Sequence, residues 1–245
     1  MASSKIKIWQ IHYDEDVNSK PALDPRFIPY DNTGKCDTYY ENKVILDIWK
    51  NKKWQNADYV SVLSWRFKEK TNLTYQKIKE QVKDKDIYLM TPPAYMDFKS
   101  PLSKHGFANV GEIAKIADRE KMLSFQLYDY DTKYKNKKCV SFCNFFLVKP
   151  YIFDDYCKNV LNPVIQWMKS RKNADLRKQL SIPCVHRDGK KYPVHTFFLE
   201  GLFQCYVHHS KIPYEYIFDY ETKNIIERKK TEGKEYKEFV SLLLS

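Results

Sequence analysis

Apolar and polar residues alternate through Ile6-Lys7-Ile8-Trp9-Gln10-Ile11-His12-Tyr13, the two-residue period of a half-buried strand. A polar loop over 14–25 holds two prolines and leads to the short apolar run Phe27-Ile28-Pro29-Tyr30. That run stops at Asp31-Asn32-Thr33-Gly34, residue types that favour a turn. Val44, Ile45, Ile48 and Trp49 recur at helical spacing and predict a helix over about 40–50. Tyr59 to Ser64 is apolar enough for an interior strand. Leu73, Ile78 and Val82 then mark the inward stripe of a basic amphipathic helix, and Ile87 to Met90 is a short strand halted by Pro92-Pro93.

The period lapses over 94–109, which reads as a long loop; loops of that length inside compact domains usually serve function. Val110, Ile113, Ala117 and Met122 restore it and predict a helix over 110–123. Val140 to Val148 reads as the most convincing strand of the chain. A helix from about Phe153 to Met168 follows, kinked or restarted at Pro163. Residues 169–179 read as a charged connection, about 195–208 as a long helix, and 214–218 as a last strand. The tail carries Lys229-Lys230 and a helical pattern ending in Leu242-Leu243-Leu244. Strands and helices alternate with connections long enough for crossovers. The expectation is therefore one α/β domain over 1–245, with a largely parallel central sheet and a helical C-terminal third.

Composition changes this picture little. With 43% hydrophobic residues, the 245-residue chain has enough apolar side chain for a core, so disorder is set aside. Charge changes it more: 42 Lys+Arg against 31 Asp+Glu give +11, which favours anionic partners such as nucleotides, nucleic acid or an acidic membrane surface. No apolar run reaches the roughly 18 residues of a transmembrane helix, and Met1-Ala-Ser-Ser-Lys5 lacks the apolar core of a secretory signal. A cytoplasmic chain is expected. The six cysteines include no Cys-x-x-Cys pair, and Cys139 and Cys143, four apart in the predicted strand, would stand about 13 Å apart, too far to share zinc. Free, mostly buried thiols are the economical account.

In such a sheet, ligands bind in the crevice beyond the carboxyl ends of the strands. The loops there offer His12, Tyr13 and Asp14; Asp31, Asn32 and Thr33; Trp65 and Arg66; and Tyr95 and Asp97. Aromatic faces can stack on a base, carboxylates and amides can hold ribose, and Arg66 can neutralise phosphate. Neither Gly-x-Gly-x-x-Gly nor Gly-x-x-x-x-Gly-Lys-Ser/Thr occurs, which argues against a dinucleotide dehydrogenase or a P-loop enzyme. Gly-x-Ser-x-Gly and His-Glu-x-x-His are missing too, and the six histidines have no metal-ligand spacing.

Asp-x-Asp spacing of the kind that holds a divalent ion on a diphosphate occurs at 84/86 and at 129/131. Asp84-x-Asp86 precedes its strand, the wrong end, and Asp129-x-Asp131 is plainly read as a solvated turn. Compensation of a diphosphate by Mn or Mg, and a metal-free arrangement built on Arg66, both stay open. Glu200 lies in the very apolar stretch Phe197-Phe198-Leu199-Glu200-Gly201-Leu202-Phe203. A carboxylate there faces either a site or the wet side of its helix. It is the first candidate for a general base, with His195 and Asp97 in reserve.

The order of motifs is familiar. Tyr30-Asp31-Asn32-Thr33-Gly34, then Glu41-Asn42-Lys43 opening a helix with Trp49-Lys50-Asn51, then Asp58-Tyr59-Val60 leading to Ser64-Trp65-Arg66, resembles a family of bacterial capsule and lipopolysaccharide glycosyltransferases. Asn144-Phe145-Phe146-Leu147-Val148-Lys149 followed by Tyr156-Cys157 matches a later block of that family, and Glu200 falls where it has a Glu in a late helix. The likeness is scattered over about 6–210 and departs where the family has His-Tyr-Arg-Arg and this chain has Ser64-Trp65-Arg66-Phe67.

The resemblance implies a GT-A-like fold and hexosyl or pentosyl transfer to a hydroxyl, with a donor half over about 1–100 and an acceptor half over 101–245. The donor, a nucleotide-diphosphate sugar, would be held by His12, Tyr13, Asp31, Asn32, Thr33, Asn42, Lys43, Trp65 and Arg66. The acceptor is either a surface glycan at the inner membrane or hydroxymethylated bases of phage DNA in an infected cell, which would have to be flipped out. Basic clusters at Lys133/Lys135/Lys137/Lys138, Lys169/Arg171/Lys172/Arg177/Lys178 and Arg228/Lys229/Lys230 suit either. A non-catalytic nucleic-acid-binding protein would explain the charge but not the polar groups at the strand ends, and no helix-turn-helix, zinc-finger or RNA-recognition pattern is present.

Overall fold

The computed structural model describes residues 4–12, 24–34, 39–90, 108–127, 143–170, 172–185, 191–217 and 219. Strands β1 (Ile6–His12), β2 (Ile28–Asp31), β3 (Tyr59–Leu63), β4 (Ile87–Leu89), β5 (Phe146–Val148) and β8 (Tyr214–Tyr216) form one sheet in the order β2-β1-β3-β5-β4-β8. β1 pairs in parallel with β2 and β3, and β4 with β8, while β5 runs opposite to both of its neighbours. A separate antiparallel pair, β6 (Pro183–Val185) and β7 (Lys191–Pro193), stands ahead of the last long helix. The fold is α/β with a mostly parallel six-stranded sheet, as the alternation of elements predicts.

Each face of the sheet buries one layer, because side chains alternate along a strand. Trp9, Ile11, Val60, Val62, Ile87, Leu89, Phe146 and Val148 pack against α1 (Tyr40–Lys50), α4 (Ala108–Arg119), α5 (Pro150–Tyr156), α6 (Asn162–Ser170), α7 (Ala174–Leu180) and α8 (Val194–Ser210). Ile6, Ile8, Tyr59, Leu63, Tyr88, Phe145 and Leu147 face the smaller layer, closed by Phe27, by Phe67 of α2 (Phe67–Thr71), by Leu73 and by Ile78 of α3 (Tyr75–Gln81). Strand β3 is buried at all five positions, which explains its unbroken apolar run; its one polar residue, Ser61, donates Oγ to the Phe146 carbonyl at 2.6 Å.

The elements depart from the periodic pattern at identifiable places. The helix predicted around Leu73, Ile78 and Val82 is two helices. Asn72, in left-handed backbone at φ 55°, ends α2, and Thr74 caps α3 by accepting from the Lys77 N–H at 3.3 Å. The stretch read as a connection over 169–179 contains α7, opened by Asn173, whose side chain accepts from Leu176 N–H at 3.0 Å. The β6–β7 hairpin has no periodic signal. The predicted helix around Pro163 starts earlier, at Pro150, and does not break. Its turn Cys157–Leu161 widens to a π-helix, which takes up the missing N–H of Pro163 and the crowding of its ring against the Asn159 carbonyl.

Cys143 and Asn144, expected within the strand over 140–148, sit instead in left-handed backbone at φ 60° and 54°, and β5 begins at Phe146. Residues 140–142, Cys139, the greater part of the 94–109 loop and the basic tail lie outside the described residues. No described helix is long and apolar enough to cross a membrane.

Candidate functional site

Strand direction decides where chemistry can gather. β1, β2, β3, β4 and β8 all present their carboxyl ends at one edge, and reversed β5 brings its amino end to the same edge. Three further elements meet there: the first turn of α1, helix α2, and the part of α8 that carries Glu200.

The left-handed pair Cys143–Asn144 is the hub. Neither residue is glycine, and such backbone costs about 1 kcal/mol or more per residue, so the surroundings must hold it. The Cys143 N–H donates to the Glu200 carboxylate, and the Lys70 ammonium donates to Cys143 Sγ at 3.1 Å while lying 5.6 Å from the Phe145 ring centre. Asn144 Nδ2 donates to Asn42 Oδ1 at 3.3 Å, joining the turn to α1. Asn42 Nδ2 and Asn144 Oδ1 are both buried and have no hydrogen-bond partner among the described residues.

Around this hub stand two carboxylates and one ammonium. Burial, then the nearby Glu41 charge, push the Glu200 carboxyl up to about 7, against Lys70 and the Cys143 N–H, which favour its ionised form. Burial raises Glu41 as well. Burial works against the Lys70 ammonium, but Cys143, Glu200 and Glu41 outweigh it and hold its pKa above the ordinary lysine value. Burial and Glu200 push the Cys143 thiol up to about 12. It is therefore protonated at neutral pH, and the anions that matter to Lys70 are the two carboxylates. Glu41, Lys70 and Glu200 are each partly exposed.

The donor-side residues expected from sequence are only partly gathered. His12 ends β1; the Asn32 N–H donates to the His12 carbonyl at 3.1 Å, and Asp31 Oδ1 accepts from the Thr33 N–H at 2.9 Å, so these four share the β1–β2 end of the edge. Asn42 is at the hub, whereas Lys43 points outward on α1. Trp65 and Arg66 follow β3, but Arg66 is committed to Glu69, donating Nε to Oε2 at 2.9 Å and pairing through its other nitrogen, and lies over the Trp65 ring at 5.6 Å. His195 is buried against Tyr39 with ring centres 4.7 Å apart. Five residues before Glu200, it is turned about 140° away round the helix. Tyr13, Asp14, Tyr95, Asp97, Asp129 and Asp131 lie outside the described residues. Among the described residues no three His, Cys, Asp or Glu are grouped to hold a metal ion.

A concavity of about 230 Å³ is lined by Gln10, Arg26, Phe27, Lys68 and Thr74 among others. Gln10 reaches with Nε2 toward the Ser64 and Trp65 carbonyls at 3.4 and 3.5 Å and leaves Oε1 buried without a partner among the described residues.

Sequence reasoning missed Glu41, Lys70 and Cys143. Lys70 sits in Lys68-Glu69-Lys70, which reads as surface charge; its one signal is its spacing of three from buried Phe67 on the inward side of α2. Glu41 was within the recognised Glu41-Asn42-Lys43 block, but nothing local distinguishes it from an ordinary first-turn acid.

Fold and site together define an α/β protein with a partly buried charged cluster at the carboxyl edge of its sheet. No family model and no curated protein matches the chain. Among solved structures, the apo form of the bifunctional glycosyltransferase WbbM is similar at a TM-score of 0.46 and 17% identity, covering 87% of this chain. The chain spans 44% of that protein's chain.

Proposed function

We propose that this protein is a glycosyltransferase that moves a sugar from a nucleotide-diphosphate donor to an acceptor hydroxyl, with Glu200 as the general base. The observation that carries the reading is the half-buried Glu200 carboxylate, poised near neutral pH between Glu41, Lys70 and the strained Cys143–Asn144 turn at the ligand-binding edge of the sheet. A base that accepts a hydroxyl proton works best when its pKa lies near the working pH. His12, Asp31, Asn32, Thr33 and Asn42 lie at the same edge, and the motif order from Asp31 to Glu200, which agrees with the capsule and lipopolysaccharide family, supports reading them as donor-binding groups. A surface glycan is the favoured acceptor, because the motif likeness points to it; hydroxymethylated DNA is the alternative that the +11 charge would equally serve.

In the transfer, the acceptor O–H bond breaks as its proton passes to Glu200. The freed oxygen bonds to the anomeric carbon, and the bond from that carbon to the diphosphate oxygen breaks, its electron pair leaving with the nucleoside diphosphate. Lys70 lies nearer this place than Arg66, which is already paired with Glu69.

A thermal-shift screen against UDP, GDP, CDP and TDP sugars, with and without manganese, tests the reading. The expected result is a shift with one nucleotide, worth about 2.7 kcal/mol at 100 times its dissociation constant. Manganese dependence would bring in Asp129 and Asp131. No shift with any donor rejects the reading, and titration with duplex DNA then tests the non-catalytic nucleic-acid-binding alternative.

A further inference from the structure

Helix α2 carries Lys70 to the candidate site, yet it has only five residues. A helix that short has almost no stability of its own, so contacts outside it must hold both its ends. Phe67 holds the first turn. It is fully buried, with its ring edge-on to Phe145 at 5.0 Å and to Phe27 at 6.2 Å. Three residues on, the Lys70 ammonium meets Cys143 Sγ. The helix then stops at Asn72, whose left-handed backbone is costly for a residue with a side chain and needs a hold of its own. That hold comes from a distant part of the chain. The Asp219 carboxylate accepts from Asn72 Nδ2, 147 positions away in sequence, and from Lys77 Nζ at 2.8 Å. Asp219 is 5% exposed, and a carboxylate so far out of water is tolerable only where such donors meet it. The segment that delivers it is fixed too. β8 pairs in parallel with β4, the Ile217 N–H donates to the Leu89 carbonyl at 2.9 Å, and the Ile217 side chain is buried in the same layer as Phe67.

We propose that Asp219 is a positioning residue: through Asn72 it fixes the C-terminal end of α2 and so seats Lys70 on Cys143. Any consequence for donor binding rests on the glycosyl-transfer reading; the clamp itself does not. The two partners of Asp219 play different parts. Asn72 ends the helix that carries Lys70. Lys77 lies on α3, beyond the turn, and its side chain is 35% exposed, so water can stand in for Asp219 there. Loss of the Asn72 link therefore loosens Lys70, and loss of the Lys77 link leaves it in place.

Cys143 reports the seat of Lys70, because its buried thiol is in contact with that ammonium. Cys157, Cys184 and Cys205, buried in the other layer, report on the rest of the fold. The test is iodoacetamide labelling of the full native chain, read cysteine by cysteine by peptide mass spectrometry. D219A and N72G should each speed Cys143 labelling about tenfold or more and leave the other three thiols unchanged. Glycine keeps the left-handed turn without strain, so N72G removes the amide alone. K77M should leave Cys143 near the wild-type rate, and N72G combined with D219A should label it no faster than either alone. Cys143 labelling that stays put in D219A and N72G, rises as much in K77M, or rises together with the other three thiols overturns the proposal and makes Asp219 merely structural. Should D219A not fold, N72G beside K77M decides the matter by the same contrast. Thermal shifts with nucleotide sugars separate the two readings. Cys143 labelling that rises as stated in a chain that no donor shifts keeps the clamp and rejects glycosyl transfer. A donor shift beside unmoved Cys143 labelling rejects the clamp and keeps the transfer reading.

Discussion

At the residue scale, Glu200 shows how a functional group reveals itself by its cost. Its pKa rises on folding from an ordinary 4.5 to about 7, so the folded chain binds a proton that the unfolded chain releases. Stability is then fullest below about 4.5 and declines as pH rises to 7, by about 3 kcal/mol. Glu200→Gln removes that dependence. The variant is expected to melt at a higher temperature than wild type at pH 8, near the wild-type temperature at pH 4.5, and to lose about a hundredfold or more in turnover with donor affinity intact. A melting difference that does not grow with pH, or normal turnover, would remove Glu200 from the role.

Arg66 is the contrasting case. Its partner Glu69 and much of its own side chain are exposed, so the pair adds less than about 1 kcal/mol to stability. Arg66→Ala should leave the urea midpoint almost unchanged and weaken donor-diphosphate binding by about 1.5–3 kcal/mol. Unchanged donor affinity in calorimetry takes Arg66 out of the site and leaves Lys70 as the cation there.

At the element scale, α8 ties site to core. It carries Glu200, and three residues on, about 60° round the helix, Phe203 is fully buried, stacked on Phe146 of β5 with centres 3.8 Å apart and edge-on to Tyr156 at 5.0 Å. β5 in turn begins just after the Cys143–Asn144 turn, so packing at Phe203 and placement of the Cys143 N–H share one short strand. Phe203→Ala should cost about 3–5 kcal/mol by urea denaturation. A cost under about 1 kcal/mol would show that α8 and β5 are not coupled through this contact. The helix is apolar nearly all round, as a helix enclosed by neighbours is, and this is why its one carboxylate stood out in the sequence.

At the scale of the whole molecule, the +11 charge and the crevice are separate matters. A basic surface attracts any polyanion, and binding of that kind falls steeply with salt. Duplex DNA binding by this chain should therefore drop about tenfold or more between about 50 and 200 mM salt, whereas the thermal shift from a nucleotide sugar, held by placed groups in a crevice, should change much less. DNA binding that resists salt and needs no donor would favour a binding protein over an enzyme.

Periodicity made the α/β class legible, along with α1, β1, β3, β4 and the long apolar α8, because each buries a face or stripe that repeats along the chain. The apolar setting of Glu200 was legible for the same reason. What periodicity cannot carry is pairing. The reversal of β5, the left-handed turn at Cys143–Asn144 and the break at Asn72 follow from how distant segments fit together, and no local residue pattern announces them. The candidate site is of that second kind. Glu41, Lys70, Cys143 and Glu200 are spread over 160 positions of the chain and carry no shared spacing. Sheet order alone brings them to one edge, and only there does burial raise two ordinary acids while the groups around it raise an ordinary lysine against its burial.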